Sequence, residues 1–117
     1  MNHTVLLVED EDDLRESMRD ALELNGYAVV AAHDGQEALE ALDRIEHVCL
    51  VLLDLLMPGM NGWEFFAKLR ARPEHDDVPV VVNTSAPSRA PAGVTRVIQK
   101  PVELARLLSV VREYCPG

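Results

Sequence analysis

The chain has 117 residues, 48% hydrophobic and 26% charged, a size and composition that build one hydrophobic core and exclude disorder. Eleven basic residues against twenty acidic ones leave a net charge of -9. Such a surface repels phosphate backbones and excludes direct nucleic-acid binding.

Two periodicities alternate along the chain. Thr4–Val8 is a short apolar run, followed by Asp12–Asn25 with Leu14, Met18, Ala21 and Leu22 at helical spacing and Asn25-Gly26 as a stop signal. Tyr27–Ala32 is apolar again, and Gly35–Arg44 carries Ala38, Leu39 and Leu42 on one helical face. Val48–Leu53 is the third run and Asn61–Arg72 the third helical stretch. Val78–Val82 is the fourth, where Pro79 suits only the start of a strand. Val94–Gln99 mixes in Thr95 and Arg96, as an edge strand does, and Leu104, Leu107, Leu108 and Val111 stripe a last helix.

Strands alternating with helices imply βαβ units. Near-continuous apolar strands imply a parallel sheet buried on both faces. The expected fold is a flavodoxin-like, doubly wound α/β sheet of five strands in the order 2-1-3-4-5. Without repeats, linkers or low-complexity segments, residues 1–117 are expected to form one domain. One connection is short: Asn83–Gly93 holds eleven residues and contains Pro87 and Pro91, where a parallel crossover needs about a dozen or more. The fourth helix is therefore expected to be a single turn or absent.

The cysteines, Cys49 in the third apolar run and Cys115 near the C-terminus, read as reduced thiols, one of them filling the core. No CxxC or Cys/His cluster points to zinc. No run reaches the ~20 apolar residues of a membrane helix, and no signal-like stretch opens the chain. A cytoplasmic protein without membrane contact is expected.

Charge collects where the strands end. Glu9–Asp13 follow the first strand, Asp54 the third, Asn83, Thr84 and Ser85 the fourth, and Lys100 the fifth. Ligands of open α/β sheets bind beyond the carboxyl ends of strands, where strand order reverses. Here that point lies between the first and third strands, which brings Asp10 and Asp54 together with Thr84 and Lys100 opposite. Two carboxylates ~4 Å apart repel by about 4 kcal/mol at an effective dielectric of 20. Mg²⁺ is the natural remedy, since it takes a few carboxylates, waters and phosphate oxygens. With Lys100 as a second positive charge and Thr84 as a hydroxyl donor, Asp54 reads as a nucleophile that becomes an aspartyl phosphate.

Four motifs, VLLVEDE (residues 5–11), LLDLLMPGMNG (52–62), PVVVNTSA (79–86) and QKP (99–101), resemble the receiver domain of two-component response regulators. The resemblance covers nearly the whole chain. It implies that Asp54 takes phosphate from a sensor histidine kinase or phosphotransfer protein and switches conformation to control a partner or output domain. It further implies that Asp10, Asp54 and the Leu56 carbonyl bind Mg²⁺ directly, with Glu9 acting through water. Thr84 and Lys100 would hold the phosphoryl oxygens, and the Lys100–Pro101 bond would be cis. No enzyme activity is expected beyond the domain's own phosphorylation and dephosphorylation.

Counting from Pro79 selects Thr84 as the switch hydroxyl, whereas aligning on Ala86 selects Ser85. Glu11, Asp12 and Asp13 read as a solvated helix start, and His33-Asp34 as turn chemistry. His3, His47 and His75 lack ligand-like spacing. Trp63, at the start of the third helix, is expected to be packed partly against the sheet. The family's aromatic residue three positions before the lysine is here Val97, so the output surface is expected to differ from the usual one. A receiver-like interaction module without phosphorylation is the competing function. A phosphohydrolase with an aspartate nucleophile would need a second acid where Leu56 stands.

Overall fold

Residues 4–57 and 59–116 are described by the computed structural model of the chain. His3 and Pro58, the latter read with Gly59 as the turn that leads away from Asp54, lie outside the described residues. The strands are β1 (Thr4–Val8), β2 (Ala28–Ala32), β3 (Val48–Leu53), β4 (Val80–Thr84) and β5 (Arg96–Gln99). They form one parallel sheet in the expected order, β2-β1-β3-β4-β5. The helices are α1 (Asp12–Leu24), α2 (Gly35–Leu42), α3 (Gly62–Arg70) and α4 (Leu104–Tyr114). Between β4 and β5 there is only a 3₁₀ turn, Pro87–Arg89, as the two prolines require.

Strand alternation sorts the core into two layers. Leu6, Val8, Val51, Leu53, Val80 and Val82 face the cluster that holds Leu39, Leu42, Phe65 and Leu69 of α2 and α3. Val5, Leu7, Leu50, Leu52 and Val81 face Met18 and Leu22 of α1 and Leu107, Val110 and Val111 of α4. Each such fully buried side chain contributes about 1.5–3 kcal/mol.

Helix starts are specified locally. Asp34 caps α2 by accepting from the Glu37 N–H at 2.8 Å. His33 Nδ1 lies 2.8 Å from Glu37 Oε1, which bears out the turn reading of that pair. Asn61 and Glu64 form a capping box at α3. At the end of α1, Gly26 takes φ 91°, a conformation that glycine adopts without strain.

β4 starts two residues later than expected. Pro79 has no N–H for the ladder, and its carbonyl accepts from Val51 N at 2.9 Å just ahead of the strand. β5 is an edge strand, as its mixed composition implied.

The reading of two reduced thiols is overturned: Cys49 and Cys115 form a disulfide across 66 residues. α4 runs back against the strand direction, so its C-cap Cys115 returns to the end of the sheet where the central strand β3 begins. Periodicity marks Cys49 as apolar filler and carries no trace of its encounter with Cys115.

Gly62 positions the loop after β3. A Cβ there would stand 2.6 Å from both the Asp54 carbonyl and Leu55 Cα, backbone atoms that cannot give way cheaply. Gly62→Ala is expected to lower stability by about 1–3 kcal/mol. Denaturant titration should show a lower midpoint at an unchanged slope.

Candidate functional site

The sheet register sets the depth of the acidic residues. Val8 pairs with Leu53, so Glu9, Asp10 and Asp54 leave the sheet at one level. The Asp54 N–H donates to the Val8 carbonyl at 3.0 Å, and the Glu9 N–H to the Ala32 carbonyl at 3.0 Å. On the far side Thr84 pairs with Gln99, and the Lys100 N–H donates to the Thr84 carbonyl at 2.8 Å. The Lys100–Pro101 bond is cis.

Carboxylate oxygens of Glu9, Asp10 and Asp54 lie within 4.8 Å of one another. Glu9 and Asp54 are 1% and 5% exposed. Lys100 Nζ reaches Glu9 Oε1 at 2.9 Å and Asp54 Oδ2 at 3.5 Å. The Leu56 N–H donates to Asp54 Oδ1 at 3.3 Å, and the Glu11 N–H to Glu9 Oε2 at 3.2 Å.

One cation does not balance this cluster. Burial first, then the charge of Glu9, push the Asp54 carboxyl up from 3.8 to about 7, although the charge of Lys100 and the Leu56 N–H act in the opposite direction. Burial alone pulls Lys100 down, but its hydrogen bond to Glu9 and the charges of Glu9 and Asp54 leave it raised. A buried all-oxygen donor set with uncompensated negative charge fits a hard divalent cation such as Mg²⁺. The residues placed to hold it are Glu9, Asp10 and Asp54.

Sequence reasoning did not find Arg15. Its Nη1 donates to the carbonyls of Glu9 and Asp10 at 2.9 and 3.5 Å, and its Nη2 meets Asp12 Oδ1 at 2.6 Å. The guanidinium thus clamps the backbone that presents the acids. Its position one turn into α1, three residues after Asp12, is the one signal available in the sequence.

Thr84 is fully buried, and its Oγ1 accepts from the Ala86 N–H at 3.1 Å. Ser85 is exposed and lines a cleft of about 400 Å³ on the α1 side with Leu14, Asn83, Lys100, Pro101 and Val102. Asn83 is 2% exposed and its side-chain amide has no partner among the described residues. An ordered water from the cleft is the ordinary remedy for such a group.

Val97 is 36% exposed on the edge strand. Trp63 is partly buried against the core, as expected. Its Nε1–H also donates to the Arg89 carbonyl at 2.8 Å, and the Arg89 guanidinium lies 5.4 Å from the ring centroid. Among the described residues no helix is long and apolar enough to cross a membrane.

The profile described as "Response regulator receiver domain" matches residues 5–112. The response regulator MprA of Mycobacterium ulcerans is 38% identical over 118 residues, which cover 96% of this chain and 50% of that protein. The chain thus spans about half the length of the curated relatives it matches. Among solved structures, a response regulator from Chloroflexus aurantiacus superposes with TM-score 0.88 at 28% identity over the full length of both chains. TrrA of Thermotoga maritima, solved in complex with Mg(2+)-BeF, superposes with TM-score 0.83 at 26% identity, covering 96% of this chain and 98% of its own.

Proposed function

The chain belongs to the response regulator receiver domain family, and from that premise we propose that Asp54 is a phosphoacceptor served by a phosphohistidine on a sensor histidine kinase or phosphotransfer protein. The observation that carries this reading is the convergence of Glu9, Asp10, Asp54 and Lys100 at the strand ends, with the buried Asp54 joined to Lys100.

In the proposed step an Asp54 carboxylate oxygen attacks phosphorus, the P–N bond of the phosphohistidine breaks, and the imidazole leaves with the bonding pair and takes a proton. Lys100 holds one phosphoryl oxygen and the Thr84 hydroxyl donates to another. Asp54 must be ionised to attack, and Lys100 together with the Leu56 N–H stabilises that form. Asp10, Asp54 and the Leu56 carbonyl, with Glu9 acting through a water, would hold Mg²⁺, which when bound would supply neutralisation of charge on the phosphoryl oxygens. Ser85, exposed on the cleft side, is the less favoured switch hydroxyl, and Pro101 sets the direction in which the chain leaves Lys100. The domain then catalyses no reaction other than its own phosphorylation and dephosphorylation, and its switch acts on a downstream protein or output domain.

We place it in the cytoplasm because a kinase partner works there. The Cys49–Cys115 bond does not support that placement, since disulfides persist in oxidising compartments. Incubation with Mg²⁺ and a small-molecule phosphodonor tests the reading by intact mass. One phosphoryl group per chain is expected, and none after chelation. No adduct under conditions that label other receivers would favour the interaction module.

A further inference from the structure

The β4–β5 connection forms a continuous chain of hydrogen bonds that starts at Thr84 and ends on α3. Thr84 Oγ1 accepts from Ala86 N at 3.1 Å. The Ala86 carbonyl accepts from Arg89 N at 3.0 Å, and the Pro87 carbonyl from Ala90 N at 3.2 Å. The Arg89 carbonyl then accepts from Trp63 Nε1 at 2.8 Å. Ala90, Val94 and Trp63 all pack against the core cluster beside α3. The indole and this short turn therefore meet over the same core cluster between β4 and β5.

We propose that Trp63 is a positioning residue of the phosphoacceptor site, holding the resting orientation of the Thr84 hydroxyl through the turn at residues 86–90. The inference rests on the phosphoacceptor reading and extends it. If the Thr84 side chain rotates about χ1 to carry its hydroxyl toward a phosphoryl oxygen, Oγ1 leaves the Ala86 N–H, which is then left without an acceptor unless the turn moves. Trp63 anchors the far end of that turn and so favours the resting arrangement. Linkage makes the effect reciprocal: whatever Trp63 takes from phosphoryl capture, capture takes from the Trp63–Arg89 contact. Val97 is too small and too exposed to follow Thr84 as a rotating ring would. The 86–90 turn is then the segment that carries the change outward.

The test uses beryllofluoride with Mg²⁺ as a stable phosphoryl mimic and ¹⁹F resonance to measure its affinity. Trp63→Phe keeps a ring in place and removes the N–H donor. It should tighten binding roughly two- to tenfold, the range of one lost hydrogen bond. In a Thr84→Ala background the same substitution should change nothing, a coupling that a purely structural role would not produce. In the native protein the single tryptophan reports directly. Its emission should shift on beryllofluoride binding and stay unchanged in Thr84→Ala, a readout that does not depend on how well Trp63→Phe folds. Equal affinities for native and Trp63→Phe, or the same change with and without Thr84, would overturn the proposal. A native protein that binds no beryllofluoride with Mg²⁺ would instead overturn the phosphoacceptor reading, and this inference with it.

Discussion

Without metal, Asp54→Asn should be more stable than the native protein above neutral pH, by on the order of 2–4 kcal/mol. The Asp54 carboxyl is pushed up from 3.8 to about 7 in the folded chain, first by burial and then by Glu9. Between those values the folded state keeps a proton that the unfolded chain has released. Stability from this group is therefore full below about pH 4 and falls as pH rises, with the loss complete above about pH 7. Asparagine has nothing to release, so the difference between the two proteins isolates this one group from all other titrations. The two curves should converge in acid and separate toward pH 8 on the order of the figure above. Mg²⁺ added at the alkaline end should stabilise the native protein more than the variant, because it binds the ionised carboxylate that burial penalises. Denaturant titrations across pH, with chelator or with Mg²⁺, measure each of these differences.

The second large effect concerns Lys100. Its ammonium is 2.9 Å from Glu9, which is 1% exposed, so Lys100→Met leaves a buried carboxylate without its partner. Breaking such a pair costs about 3–5 kcal/mol. The other lysine of the chain, the exposed Lys68, has no comparable role, and its replacement should stay within about 0.5 kcal/mol. Lys100 also holds Asp54 at 3.5 Å, so the loss from Lys100→Met should be smaller in an Asp54→Asn background: removing one carboxylate relieves part of the excess negative charge that Lys100→Met exposes. A double-mutant cycle read by denaturant midpoints checks this. Full additivity would mean that the cluster does not act as one electrostatic unit.

These effects were partly visible in the sequence, and the reason is local. The unbroken apolar stretch of residues 48–53 implies a strand buried on both faces, so the next residue, Asp54, has to emerge at the sheet's end. Topology then brings Glu9 and Asp10 to the same level, since β1 and β3 are neighbours. The prolines at 87 and 91 forbid a full helix, and only a three-residue turn forms there. What stayed hidden depends on side chains far apart along the chain. Cys49 and Cys115 meet across 66 residues. Trp63 meets a main-chain carbonyl at Arg89, and a backbone acceptor leaves no mark on residue type. Arg15 likewise binds carbonyls of Glu9 and Asp10. Asn83 is a polar residue at a buried strand position, and among the described residues no partner announces it.

The claim on which the rest depends is that Asp54 itself takes the phosphoryl group. The direct measurement is to phosphorylate the protein with a small-molecule donor and Mg²⁺, trap the acyl phosphate by borohydride reduction, and map the altered residue by peptide mass spectrometry. Reduction at Asp54 alone, absent after chelation and absent in Asp54→Asn, is the expected result. Trapping at Asp10 or Glu9, or an equal adduct in Asp54→Asn, would contradict it.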